Sequence, residues 1–194
     1  MSAPPDYVIE AARLAAVRSP CDKSKRGVVL FCGEDTSDEC VVVAGEGFNG
    51  PPPGFECGRS DACRQGCAKL CLHAEDRAIR QALVEWSAPP LNDLELLHVK
   101  VVDGVVVPGG GPSCWQCSRL VVEVGLSGVW LYEADVSRCL ECKLFEDSSR
   151  RVEDRVKRCQ ECGSNLTPFV SWRFYTALDF HRETLRACGI EAWP

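Results

Sequence analysis

Six of the fourteen cysteines in this 194-residue chain stand in three Cys-x-x-Cys pairs, at 114/117, 139/142 and 159/162, and four more crowd between 57 and 71. At about 7% of residues this falls just short of the roughly 8–10% that marks a disulfide scaffold in a short secreted chain. The opening residues, MSAPPDYVIE, carry acid and proline where an export signal needs a basic start and an apolar stretch. A cytoplasmic, reducing setting is therefore expected, where clustered cysteines bind metal more often than they pair with each other. The fold must accommodate metal sites.

Other properties narrow the class. Twenty-two basic residues against twenty-eight acidic ones leave a formal charge of −6, which argues against coating nucleic acid by charge alone. An apolar fraction of 45% supports a real core, and the length suits one domain or one domain with a small insertion. No apolar run approaches the roughly 20 residues of a membrane span.

Along the chain, Asp6–Arg18 carries apolar residues at helical spacing and ends at Ser19-Pro20. Gly27–Cys32 and Cys40–Ala44 are β-branched runs that predict a hairpin, and glycine and proline predict a loop from Gly45 to Ser60. Helix is expected from His73 to Trp86, strand over Leu94–Val102 with a continuation at Gly104–Val107, helix from Cys114 to Val124 ended by Gly125, and strand over Gly128–Tyr132. Residues 133–163 are charged, poor in aliphatics and bracketed by cysteine pairs. Helix returns over Ala177–Ala187 with Gly189 as its cap, and Ile190–Trp193 fits a short edge strand. Strands alternating with helices predict an α/β sheet covered on both faces.

Two of these helices begin at metal-binding residue types. His73-Ala74-Glu75 opens one, and Cys114-Trp115-Gln116-Cys117 opens the other behind Pro112. Three ligands with one position left open is the arrangement of a catalytic zinc. Thiolates at a helix N-terminus are favoured by its dipole. Glu75, two residues beyond His73, is placed to move protons without binding the metal.

This His-x-Glu … Pro-x-Cys-x-x-Cys set is similar to the signature of the zinc deaminases, with Ser113 inserted between the proline and the first cysteine. The resemblance extends to the deoxycytidylate branch of the cytidine/deoxycytidylate deaminases. VIEAARLAAVRSPCDKSKRGVVLF resembles their first helix and strand, and GEGFNGPPPGFEC their Gly-Tyr-Asn-Gly loop, with Phe48 in the tyrosine's place. HAEDRAIRQAL and PSCWQCSRLVVEVGLSGVWLYE resemble the two zinc helices and the following strand, and ETLRACGIEAW the closing helix. The resemblance implies a cytidine deaminase-like three-layer α/β/α sandwich with its core in residues 1–132 and 164–194. It also implies hydrolytic deamination of a cytosine nucleotide, most simply dCMP to dUMP, by attack of a zinc-activated water on C4. His73, Cys114 and Cys117 would be the zinc ligands and Glu75 the proton shuttle. Asn49 would face sugar or base, or else only shape the turn beside Gly50, and the backbone at Ala74 would approach the amine. The phosphate partner is not assigned by the sequence: Lys23, Lys25, Arg26 and Arg59 sit in suitable loops but equally suit a solvated surface.

Two further zinc sites are expected. Cys139, Cys142, Cys159 and Cys162, with 16 residues between the pairs, have the spacing of a zinc ribbon, which would make 133–163 an insertion. By analogy with some deoxycytidylate deaminases, Cys21, Cys57, Cys63 and Cys67 form a structural site; the set with Cys71 in place of Cys21 is the other choice. Cofactors are thus one catalytic zinc and one or two structural ones. His98 and His181, inside a strand and a helix, are expected as packing or surface residues. Family resemblance implies a homo-oligomer acting on a small nucleotide. Two rivals are a polynucleotide cytosine or adenine deaminase using the ribbon to hold single strands, and a non-catalytic zinc module. The acidic charge disfavours the first and Glu75 the second.

Overall fold

The computed structural model describes residues 3–22, 24–32, 43–58, 70–85, 91–109, 114–139, 145–147 and 166–190, with backbone alone at 135–139, 145–147 and 166–169. The elements in chain order are α1 (Asp6–Val17), β1 (Lys25–Cys32), β2 (Val43–Phe48), α2 (Ala74–Glu85), β3 (Leu94–Val102), β4 (Val105–Val107), α3 (Trp115–Glu123), β5 (Gly128–Cys139), β6 (Phe145–Asp147), β7 (Leu166–Thr176) and α4 (Ala177–Ala187). Among the described residues, no helix is long and apolar enough to cross a membrane.

One sheet organises the chain. β1 lies between β2 and β3, antiparallel to both. β3 runs parallel to β5, and α3 makes the crossover between them. β7 runs antiparallel along the whole of β5, β6 pairs with the far end of β5, and β4 folds back on the end of β3. The period of two along β1 sorts its side chains between two cores. Val29 and Phe31 join Leu97, Val99, Val101 and Trp130 beneath Val8, Ala12 and Ala16 of α1. Val28 and Leu30 join Leu94, Leu96, Val129 and Leu131 beneath Ala78, Ile79 and Ala82 of α2, Val121 of α3 and Phe180 of α4. One helix on one face and three on the other make the three layers expected. Leu30, Ile79 and Phe180 are fully buried, each contributing about 1.5–3 kcal/mol.

The main departures from the sequence reading have local causes. Gly45 and Gly47, expected in a loop, lie inside β2, where α2 comes too close for any side chain. A Cβ at Gly45 would sit 2.4 Å from the Ala78 carbonyl oxygen, and one at Gly47 only 2.2 Å from that of Ala74. Gly104–Val107, expected to extend β3 after a turn, follows a two-residue hairpin turn in which Asp103 and Gly104 take positive φ, 49° and 79°, and so pairs antiparallel with β3. β5 continues past Tyr132 to Cys139, paired throughout with β7. β7 itself was not foreseen, since Pro168 interrupts an otherwise strand-like run of aromatics. Gly125 and Gly189, with φ of 77° and 70°, end α3 and α4 as expected. Of Ile190–Trp193, read as an edge strand, Ile190 belongs to no strand and 191–193 lie outside the described residues.

Candidate metal centre

Backbone pairing places His73 before α2 begins. Gly50 and Leu72 exchange N–H···O bonds of 3.1 and 2.9 Å, joining the loop after β2 to the residue before His73. Asn49 anchors the same loop. Its Oδ1 accepts from the Arg26 N–H at 2.8 Å and lies 2.9 Å from the Ser19 hydroxyl, while its Nδ2 donates to Ser24 O at 2.8 Å. The segment Arg18–Cys21 after the first helix and Phe48-Asn49-Gly50, both within the stretches that carry the family resemblance, therefore meet in one hydrogen-bonded corner. Phe48 is stacked between the guanidinium groups of Arg18 and Arg77, at 5.5 and 4.7 Å from its ring centre. These three contacts tie the Asn49 side chain to the corner.

The second helix arrives from the parallel crossover. Cys114 occupies the N-cap of α3, its sulfur 3.5 Å from the Cys117 N–H, so the helix end itself supplies a donor to a thiolate. The His73 Nδ1 atom lies 3.1 Å from Cys114 Sγ and 3.2 Å from Cys117 Sγ, with the two sulfurs 3.3 Å apart. Bonds of about 2.3 Å to sulfur and about 2.0 Å to nitrogen would place tetrahedral zinc ligands about 3.5–3.8 Å apart. The observed triangle is a few tenths of an ångström tighter, and a small outward adjustment admits the ion. The donor set fits zinc. Among the described residues, this is the group of three or more such side chains whose ligand atoms lie within metal-binding reach of one another.

The electrostatics agree with that fit. The Cys114 thiol is pulled down to about 4, first by hydrogen bonding with Cys117 and then by His73 and the Cys117 N–H, against the opposing effect of burial. The His73 imidazole is raised in turn by its bond to the Cys114 sulfur. A thiolate and a cation stabilise each other here, and a metal ion would take the proton's place. Glu75 is 2% exposed on the first turn of α2.

His98 takes the packing alternative of the two expected for it. It is buried, with its Nδ1 3.3 Å from Glu75 Oε1 and its Nε2 3.4 Å from Arg26 Nη1. No sequence motif flagged it; the only available signal was a polar residue within an apolar strand. Arg26 also donates to Gly109 O at 3.2 Å, and with His98, Lys100, Tyr132 and Glu133 it lines a shallow recess. His181 lies 2.9 Å from the hydroxyl of fully buried Ser118, beside Cys117. Lys25 donates to Val17 O, whereas Lys23 and Arg59 lie outside the described residues.

For the two structural sites the placement is partial. Cys21 is buried and Cys57 and Cys71 half-buried, and Cys63 and Cys67 lie outside the described residues. Cys139 closes β5, but its side chain and Cys142, Cys159 and Cys162 also lie outside them. Ala74, whose backbone was expected near the substrate amine, is buried in the first turn of α2 against Gly47.

The chain is similar to the deoxycytidylate deaminase of Saccharomyces cerevisiae, 27% identical over 171 residues that make up 84% of this chain and 44% of that protein. It is also similar to the deoxycytidylate deaminase of Schizosaccharomyces pombe, 29% identical over 133 residues, 63% of this chain and 35% of that protein. The chain thus spans less than half the length of these relatives. Among solved structures it is similar to the dCMP deaminase from the cyanophage S-TIM5 in complex with dCMP and dUMP, at 22% identity and a TM-score of 0.44 over 65% of this chain and 81% of that one. No family model matches the chain.

Proposed function

We propose that this chain is a member of the cytidine/deoxycytidylate deaminase superfamily, as its similarity to two deoxycytidylate deaminases supports, and that it hydrolyses the exocyclic amine of a cytosine nucleotide, with dCMP the favoured substrate. The carrying observation is the convergence of His73, Cys114 and Cys117 at the N-termini of two helices, with buried Glu75 on the first turn of one of them. His73, Cys114 and Cys117 would hold the zinc, which when bound makes water nucleophilic near neutral pH. The reaction adds water at C4 and releases ammonia, leaving uracil. Glu75 accepts the proton lost by the attacking water and passes it to N3 and to the departing amine, which needs one carboxylate that alternates between base and acid. Its near-complete exclusion from solvent suits that work, because competing water would drain the proton.

The support for a nucleotide over a polynucleotide comes from the names of the two relatives and from the acidic balance of the chain. The ribbon set Cys139, Cys142, Cys159 and Cys162 is proposed as a structural zinc site in an insertion at the end of β5, and Cys21, Cys57, Cys63 and Cys67 as a second. A homo-oligomer in a reducing compartment completes the proposal.

The test is direct. Zinc-loaded protein is offered dCMP, CMP, deoxycytidine and a single-stranded oligonucleotide, and ammonia release is followed. Preference for dCMP supports the proposal; activity on the oligonucleotide alone, or on none of them, overturns it. Glu75→Ala should keep its zinc and lose on the order of 10²–10⁴ in turnover; substantial residual activity would remove Glu75 from the mechanism.

A further inference from the structure

Glu75 has a buried histidine beside its carboxylate. His98 projects from the middle of β3 onto the face that α2 covers, and it is 6% exposed. Its two ring nitrogens meet opposite partners. Nδ1 lies 3.3 Å from Glu75 Oε1, and Nε2 lies 3.4 Å from Nη1 of Arg26. A guanidinium donates and never accepts. Arg26 is held in that orientation by a second donation, from Nη2 to Gly109 O at 3.2 Å. Gly109 is tied in turn to the sheet by its N–H, which donates to Tyr132 O at 2.8 Å.

We infer that His98 is a positioning residue for Glu75: Arg26 makes Nε2 an acceptor, the ring's single proton is therefore on Nδ1, and that N–H holds one oxygen of the carboxylate. This inference rests on the proposed role of Glu75. A neutral ring is what the surroundings favour. Burial first, and then the charges of Arg26 and His73, push His98 down to about 4, against the opposing pull of Glu75. A cationic ring would direct a second N–H at Arg26, whereas the neutral Nδ1–H tautomer satisfies both neighbours. The arrangement resembles the outer partners that fix a ligating histidine, with the order reversed so that the imidazole fixes a carboxylate. Its consequence is rotational. The Nδ1–H restrains the Glu75 side-chain torsions, and misplacement of a proton-transferring group by about 1 Å costs on the order of 100-fold in rate.

The proposal has a structural and a kinetic test. In uniformly ¹⁵N-labelled, zinc-loaded wild-type protein, long-range proton–nitrogen correlation of the His98 ring should show a protonated Nδ1 and a bare Nε2 at pH 7. The Nε2–H tautomer or a doubly protonated ring would overturn the proposal. For kinetics, His98→Asn keeps an N–H donor close to the Nδ1 position and His98→Leu removes it. With zinc content equal to wild type, His98→Leu should lose roughly 100-fold in kcat with KM changed less than about threefold, and His98→Asn should recover to within about tenfold of wild type. Wild-type kcat in zinc-replete His98→Leu would overturn it, as would an equal loss in both variants. Absence of deamination by wild-type protein would instead overturn the proposed function, and the ring state would still decide the Arg26–His98–Glu75 geometry.

Discussion

The closest approach between sheet and site is the contact of Gly47 with the first turn of α2, and it yields a quantitative prediction. In Gly47→Ala the new methyl group would lie 2.2 Å from the Ala74 carbonyl oxygen and 2.6 Å from the Ala78 nitrogen, against 3.4 Å where ordinary contact begins. The missing separation is about 1 Å, and the atoms it meets are helix backbone, which cannot rotate away. Either α2 shifts from the sheet or β2 bows outward. Overpacking of this kind costs about 1–3 kcal/mol of stability. Because α2 carries Glu75 and follows directly on His73, the displacement should also reach the site, with a loss on the order of 100-fold in kcat. Two other glycines are controls. Among the described residues nothing lies within 4 Å of a Cβ built at Gly58, which needs no positive φ, so Gly58→Ala should be neutral. Gly104 also has open space but a φ of 79°, so Gly104→Ala should cost about 1–2 kcal/mol through backbone strain and leave kcat unchanged. Urea denaturation, zinc content and ammonia release measure all three. A Gly47→Ala protein with wild-type midpoint and turnover would refute the close-approach argument.

Acid should weaken the fold through His98. Its folded pKa of about 4 lies below the ordinary value of 6.5, so between those limits the unfolded chain binds more protons. The neutral-ring stability is complete above pH 6.5, falls as pH drops through that window, and by pH 4 has lost up to about 3 kcal/mol; an equal pH dependence in wild type and His98→Asn would contradict this. Removing zinc should leave Cys114 reactive, because a thiol drawn down to about 4 is thiolate throughout the neutral range. Chelator-treated protein should therefore be alkylated at Cys114 at pH 6 and zinc should protect it, as peptide mapping by mass spectrometry would show. Asn49→Ala should cost roughly 2–3 kcal/mol in urea denaturation, from the lost bonds to Arg26 N, Ser19 and Ser24 O; an unchanged midpoint would remove Asn49 from the corner.

Much of the centre was legible because its chemistry is local in sequence. His73 and Glu75 are two residues apart, and Cys114 and Cys117 one helical turn, so ligand spacing and helix starts announce themselves in a single chain. The sandwich was legible for a related reason: strand and helix periods alternate from Asp6 to Tyr132 with glycine caps between them. Gly45 and Gly47 misled because a glycine required by a close neighbour has the same letter as a glycine required by a turn. β7 was lost because Pro168 weakens the local signal, while the pairing with β5 that makes it a strand is supplied by a distant segment.

The amino-acid sequence by itself determined the ligand types, their spacing and the helices that present them, since those depend on residues a few positions apart. Only the tertiary structure decided which side chains surround Glu75. Arg26, Glu75 and His98 are far apart in the chain, and the register of β1 against β3 and the packing of α2 on that pair bring them together. The pairing of β1 with β2 sets Asn49 in its hydrogen-bonded corner, and the packing of α2 buries Glu75 away from water. Proton position and carboxylate orientation are properties of that assembled neighbourhood, because each is set by distances between groups with no relation along the chain.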